Sequence, residues 1–350
     1  MMRDIPIIWS DEKETFNDDN WQKRREQIVN LLCKEEYGFL PPEPVSLASE
    51  IIQTDEEFCA GKAPLKKVLL HCTLTNGRLF TMPLTEVIPS GENVPFFVYI
   101  SFSPNVPDKF LPSEEIADSG FGVLSFYYED IVSDNSDFNN GLAEILGYKD
   151  NSACGKIALW VWAAKRAMDY AQTLPQLDKK HAAVAGHSRL GKTALLAGAF
   201  DTRFKYVISN NSGCCGAAIS RGKKGERIKN ITDVFPYWFK AGFDRYADKE
   251  TSMPFDQHFL IAASAPRFVY VSSSEDDSWA DPQAEAAGCR FASEAWSKSS
   301  LKGFVCDDEK IETGKSYHDG NIGYHIKRGK HFLGREDWHH FMKFINTKKN

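Results

Sequence analysis

The sequence predicts an α/β fold with a mostly parallel central sheet, an antiparallel N-terminal part and helices on both faces. Three observations carry this. From about residue 95 onward, short apolar runs alternate with helix-like segments, the pattern of strand–helix–strand units. Before that point two strand-length runs flank Thr75-Asn76-Gly77, and Asn-Gly is a strong hairpin signal. The run Pro95–Ser101 is apolar almost throughout, as expected of a strand covered on both faces.

Taken in order, Trp21 to Leu32 has the spacing of one amphipathic helix, which must end before Gly38 and the Pro41-Pro42 breaker. Residues 1–60 read as a helical extension packed on a single domain that spans 1–350. Strands are expected over 65–73, 79–88, 95–101 and 122–128. A long helix over 156–173 follows, then a strand from His181 to Ala185, a helix over 191–200 and a strand over 204–209. A strand over 266–272 and helices over 284–298 and 335–347 complete the chain. No repeat, low-complexity segment or linker divides it. Sites in such sheets gather at the carboxyl ends of the strands.

Composition bounds the function. The chain has 350 residues, 42% of them hydrophobic, enough for a substantial core. A net charge of -6 with mixed signs argues against a nucleic-acid partner, which selects a basic surplus. The basic cluster Arg221-Gly222-Lys223-Lys224 is short, is soon followed by Glu226, and reads as a solvated loop. No apolar run approaches the roughly 20 residues that span a bilayer, so no membrane partner is expected. The start, Met1-Met2-Arg3-Asp4, lacks the apolar stretch of a signal peptide. Localisation stays open: the sequence as it stands reads as cytoplasmic, and a secreted or periplasmic protein is expected instead if a leader was removed. Eight scattered cysteines, with Cys214 and Cys215 adjacent, show neither zinc-site nor redox spacing. A reduced, monomeric protein without metal or cofactor is the expectation.

The segment 182–196, AAVAGHSRLGKTALL, fits two chemistries. Gly186, four residues, then Gly191-Lys192-Thr193 satisfies a phosphate-cradling loop. An apolar strand, Gly186-His187-Ser188 and an alanine-rich helix also make a nucleophile elbow, with Ser188 on the sharp turn. Order along the chain favours the elbow, which expects an acid after a later strand and then a histidine near the C-terminus. A nucleotide site needs an acidic residue after a later strand to help hold magnesium. The strand 204–209 runs instead into Asn210 and Asn211, though the one after it leads to Glu275, Asp276 and Asp277.

A serine hydroxyl needs a base. Among nine histidines, His331 stands in a loop just before the last helix, where the base of such a fold belongs, while His318 and His325, which read as flanking a glycine-rich loop, remain open. His187 reads as packing, and His71, His181 and His258 as structural. The acid comes from the loop Ser272–Pro282, with Asp277 the best placed by count from the strand end and Asp281 and Glu275 behind it.

Gly186-His187-Ser188-Arg189-Leu190-Gly191-Lys192 resembles the serine motif of the glucuronoyl esterases, carbohydrate esterase family 15, in its bacterial form. The resemblance continues through Asn210–Cys214, Pro254–His258, Asp277–Pro282, Gly323-Tyr324-His325 and Gly329-Lys330-His331. It implies an α/β-hydrolase fold and a serine esterase cleaving the ester of (4-O-methyl-)glucuronic acid with an alcohol, through an acyl-enzyme. The substrate would be a uronic-acid ester of a plant polysaccharide or oligosaccharide, as in lignin–carbohydrate linkages of glucuronoxylan. In this resemblance Ser188 is the nucleophile, His331 the base and Asp277 the acid of the triad. Arg189 stabilises the oxyanion, and Lys192, Glu226 and Trp279 bind the sugar. Fungal members carry a glutamate where this chain has Asn211, whereas bacterial relatives use an aspartate matching Asp277. Two other readings stand beside this one: another carbohydrate acyl hydrolase, such as an acetyl xylan esterase, and a non-catalytic carbohydrate-binding protein on a hydrolase fold.

Overall fold

A computed structural model describes residues 5–9, 18–307 and 311–349; Met1-Met2-Arg3-Asp4 lies outside them. Its strands are β1 (Ser46–Asp55), β2 (Leu65–Thr73), β3 (Leu79–Val87), β4 (Val94–Ser101) and β5 (Gly122–Tyr127). They are followed by β6 (Leu177–His187), β7 (Tyr206–Asn210), β8 (Phe268–Ser274), β9 (Ser316–Tyr317) and β10 (Ile322–Lys327). All join one sheet in the order β1-β2-β3-β5-β4-β6-β7-β8-β10-β9. The first three pair antiparallel, as does β3 with β5. From β5 across to β10 neighbouring strands run parallel, and β9 closes the far edge antiparallel.

Alternation along each parallel strand divides the core into two layers. Phe96, Val98 and Ile100 of β4 face one layer, and Phe97 and Tyr99 face the other. In β6, Ala182 and Val184 join the first layer, and Ala183 and Ala185 the second. The first layer is covered by the helix Lys156–Thr173, whose run Ile157–Ala164 is buried on every side. A helix apolar all round belongs inside a large core. The helix Arg189–Phe200 packs beside it, so close to β7 that a Cβ on Gly198 would lie 2.2 Å from Val207 Cγ2. The second layer is covered by the terminal helix Arg335–Thr347, whose Trp338 meets Phe97 and Tyr99 edge-on and donates its indole N–H to Phe110 O at 2.8 Å.

Four expectations need correction. The cluster Arg221-Gly222-Lys223-Lys224 is not a solvated loop: Arg221 and Lys223 are buried, and the Arg221 guanidinium pairs with buried Asp256 at 3.0 Å. The extension 1–60 is helical over Asp18–Leu32, but Ser46–Asp55 forms the edge strand β1, nine of whose ten residues are exposed. With no buried face it carries no alternating pattern to read. Residues Ile322–Lys327, around His325, form a buried strand rather than the flank of a glycine-rich loop. Its polar His325 and Lys327 disguise it, because both are compensated by buried Asp337. The helix expected over 284–298 is divided into Pro282–Ala292 and Glu294–Ser297.

The carboxyl ends of the parallel strands are tied down by buried polar groups. Glu285, wholly buried on the helix Pro282–Ala292, accepts from Gly213 N at 2.9 Å and from Ser273 Oγ at 2.6 Å. It thereby pins the loop after β7 to the end of β8. Burial pushes its carboxyl up to about 7, against 4.5 in the unfolded chain. Between those values the fold holds a proton that the unfolded chain has released, so this contribution is full below pH 4.5 and is lost as pH rises through 7. Glu285→Gln is therefore expected to flatten the fall in melting temperature between pH 5 and 8; an unchanged slope would remove Glu285 as its source. Trp338→Ala should cost about 3–5 kcal/mol by denaturant unfolding, the usual range for emptying a buried aromatic site.

Candidate active site

β6 ends at His187 and the next helix begins at Arg189, so one residue makes the turn. Ser188 adopts φ 57° and ψ −126°, a backbone state that disfavours any side chain. Three hydrogen bonds hold it there. Ser188 N donates to Asn210 O at 2.8 Å, and Gly191 N and Lys192 N donate to Ser188 O at 2.9 and 3.2 Å. Gly186 is required because a Cβ there would sit 2.1 Å from Leu190 O. This tight turn also disposes of the phosphate-loop reading. The N–H groups of Gly191 and Lys192 both donate to Ser188 O inside the turn, so neither is left to cradle a phosphate.

His331 lies on the loop between β10 and the terminal helix, 42% exposed, with Nδ1 2.6 Å from Asp277 Oδ2. Burial alone would raise the Asp277 carboxyl. Hydrogen bonds from His331, from Asn211 Nδ2 at 2.8 Å and from Ala280 N at 3.2 Å outweigh it and hold the group below the usual carboxylate range. The other acids of this loop are occupied elsewhere. Asp281 accepts from Ala284 N at the start of the next helix and from Lys224 N, and Glu275 and Asp276 face solvent. The amide of Asn211 donates to the carboxylate that approaches His331.

Arg189 leaves the elbow toward an aromatic cage. Its guanidinium lies 4.6 Å from the Trp238 ring centroid, 5.3 Å from Phe235 and 5.6 Å from Phe102, and it pairs with Asp134. Asp134 also accepts from Trp238 Nε1 at 2.6 Å and Tyr128 OH at 3.0 Å. None of these four partners of Arg189 was singled out from the sequence. The one available hint was the dense aromatic run Phe235-Pro236-Tyr237-Trp238-Phe239.

The seven residues expected at the site, Ser188, Arg189, Lys192, Glu226, Asp277, Trp279 and His331, line one pocket of about 260 Å³. Trp279, 55% exposed, offers its ring to solvent there. A second pocket of about 640 Å³ shares only Ser188, Arg189 and His331 with it and is otherwise lined by Phe102, Ser103, Asp108, Lys109, Phe110 and His187. His318 and His325 lie away from both. Tyr270 OH joins them, at 2.8 Å from His318 Nε2 and 3.0 Å from His325 Nδ1, and His325 Nε2 contacts Asp337 at 2.9 Å. His187 is buried against His331, the ring centroids 4.5 Å apart, and burial together with that neighbour pushes it down to about 3. Chemically, the arrangement offers a hydroxyl, an imidazole backed by a carboxylate, and a fixed cation, all reaching one space.

Comparison with known proteins places this geometry in a family. Residues 73–299 match the family described as "Glucuronyl esterase, fungi". The chain is 41% identical over 238 residues to carbohydrate esterase MZ0003 of an unknown prokaryotic organism, covering 67% of this chain and 55% of that protein. It is 28% identical over 302 residues to 4-O-methyl-glucuronoyl methylesterase 1 of Wolfiporia cocos, covering 82% and 69% respectively. Thus it spans about half the length of the first relative and about two-thirds of the second. Among solved structures, a glucuronoyl esterase from Solibacter usitatus superposes with a TM-score of 0.87 at 30% identity over 99% of this chain and 98% of that one. A promiscuous CE15 esterase from a marine bacterial metagenome gives 0.86 at 31% identity, over 98% and 96%. The chain belongs to the glucuronyl esterase family.

Proposed function

We propose that this protein is a serine esterase that hydrolyses the ester between (4-O-methyl-)glucuronic acid and an alcohol. The observation that carries the reading is that one pocket gathers Ser188, Arg189 and His331 with Lys192, Glu226 and Trp279, while Asp277 approaches the far side of the imidazole at 2.6 Å.

In this reading His331 Nε2 takes the proton of Ser188 as Oγ attacks the ester carbonyl. Asp277 holds the Nδ1–H tautomer and stabilises the imidazolium that forms. The tetrahedral oxyanion is met by the Arg189 backbone N–H at the helix start and by its guanidinium, both fixed before the reaction begins. Collapse expels the alcohol, protonated by His331, and leaves the glucuronoyl group esterified to Ser188. Water, deprotonated by His331, then attacks the acyl-enzyme and releases glucuronate. Lys192 and Glu226 address sugar hydroxyls, and the exposed Trp279 ring packs against the apolar face of the sugar. No group in these steps requires a metal.

Two outcomes test the proposal. The protein should hydrolyse benzyl and methyl glucuronate faster than acetyl esters of xylan, with activity abolished in Ser188→Ala; equal turnover by that variant, or preference for acetyl esters, would defeat it. Asp277→Asn should retain the fold by circular dichroism but lower kcat by roughly 10⁴-fold, because the amide admits the wrong imidazole tautomer.

A further inference from the structure

The 640 Å³ pocket meets the first one only at Ser188, Arg189 and His331. If the uronate fills the first, as proposed above, the alcohol half of the ester enters the second, and nothing so far says what recognises it there. A chain of buried hydrogen bonds behind its wall gives an answer.

The chain starts at Asp337, wholly buried at the start of the terminal helix. Its carboxylate accepts from His325 Nε2 at 2.9 Å, from Gly334 N at 2.7 Å and from the Lys327 ammonium. Burial opposes its charge, but these donors outweigh that and keep it ionised. Asn210, also wholly buried, places one amide atom 3.2 Å from Asp337 Oδ1 and 2.7 Å from Ser272 Oγ. A carboxylate only accepts, so that atom must be Nδ2. Asn210 Oδ1 therefore faces the other way, 2.6 Å from His187 Nδ1. Against a carbonyl oxygen Nδ1 must carry the hydrogen, and a neutral imidazole has only one N–H. His187 Nε2 is left as a bare acceptor.

We infer that His187 is a specificity-determining residue whose Nε2 accepts a hydrogen bond from a hydroxyl carried by the alcohol half of the ester. His187 lines the pocket while only 3% exposed, and its ring is wedged among His331 at 4.5 Å, Phe110 at 5.4 Å and Phe102 at 6.0 Å. It cannot turn over to offer Nδ1 instead without breaking the bond to Asn210. Burial and the adjacent His331 also oppose a second proton on it, so it remains an acceptor while His331 cycles through its imidazolium. The alcohols selected are those with an aromatic or apolar body for the two phenylalanines and a hydroxyl donor besides the one esterified.

The inference rests on the esterase reading, and the test separates the two. In ¹⁵N-histidine NMR at pH 7, with His187 assigned by its loss in His187→Phe or His187→Gln, the ring should be the neutral Nδ1–H tautomer; an Nε2–H tautomer or an imidazolium overturns the inference. With activity as readout, kcat/KM is compared for 2-hydroxyethyl against ethyl glucuronate and for (hydroxymethyl)benzyl against benzyl glucuronate. In His187→Phe at least one of these ratios should fall about five- to tenfold, the worth of one neutral hydrogen bond. Both ratios unchanged would overturn it. A wild-type protein that turns over none of the four esters defeats the esterase reading and this one with it, whatever the tautomer.

Discussion

The site depends on a turn of one residue. Between the last residue of β6 and the first of the following helix there is only Ser188, held at a positive φ. That state costs on the order of 1–3 kcal/mol for a residue with a side chain, and it persists because the surroundings leave no alternative. The backbone of β7 accepts the Ser188 N–H, the first helical turn closes on Ser188 O, and the absent Cβ of Gly186 admits the helix. Relaxing the turn would sacrifice several of these contacts at once. The side chain is thereby presented at the carboxyl edge of the sheet, with the amino end of a twelve-residue helix directed at the same space.

Around that turn, charge is fixed in place by apolar walls. Arg189 is paired with Asp134, which reduces its long-range pull on an anion. What it retains is position: rings on several sides and a buried carboxylate leave the guanidinium few other places to go. In the proposed reaction a donor already oriented needs no reorganisation when an oxyanion develops, and such preorganisation is usually the largest single contribution to acyl transfer. Lys192 is treated similarly. Its buried ammonium is oriented by donating one of its three N–H bonds to Ser212 O, and the loop carrying that carbonyl is pinned by Glu285 through Gly213 N. The stability that Glu285 costs at neutral pH maintains a rigid pocket floor, an exchange common at functional sites.

Much of this was legible in the sequence because it follows from local pattern. The parallel strands announce themselves as apolar runs, and the helix over 156–173 by its apolar stretch Ile157–Ala164. The elbow shows in the spacing of Gly186, Ser188 and Gly191, and the seven residues expected at the site do converge on one pocket. What escaped was encoded at a distance. β10 is hidden because its polar residues are satisfied by Asp337 on another element, so their burial leaves no apolar signature. The cage around Arg189 assembles Phe102 after β4, Asp134 after β5 and Phe235 with Trp238 from a later excursion, and no periodicity links them. His187 read as packing from its place in the elbow; what its ring nitrogens do is set by Asn210 and Asp337, residues 23 and 150 positions away.

The proposed acid, Asp277, shows why position along the chain is a weaker constraint than position in space. β7 and β8 are adjacent and parallel, with Asn210 level with Ser272, so the segments leaving them emerge side by side. A carboxylate placed after either strand can therefore approach the same imidazole from nearly the same direction. In this chain the group after β7 is the amide of Asn211, and it donates to Asp277 from β8 at 2.8 Å. A second carboxylate there would instead face Asp277 at hydrogen-bonding distance, and two like charges that close raise the pKa of one or both. Having the acid after β8 thus favours a neutral donor after β7. Asn211 is the complement of Asp277: it supplies a hydrogen bond to the ionised form and leaves the imidazole as the partner that can take up a proton.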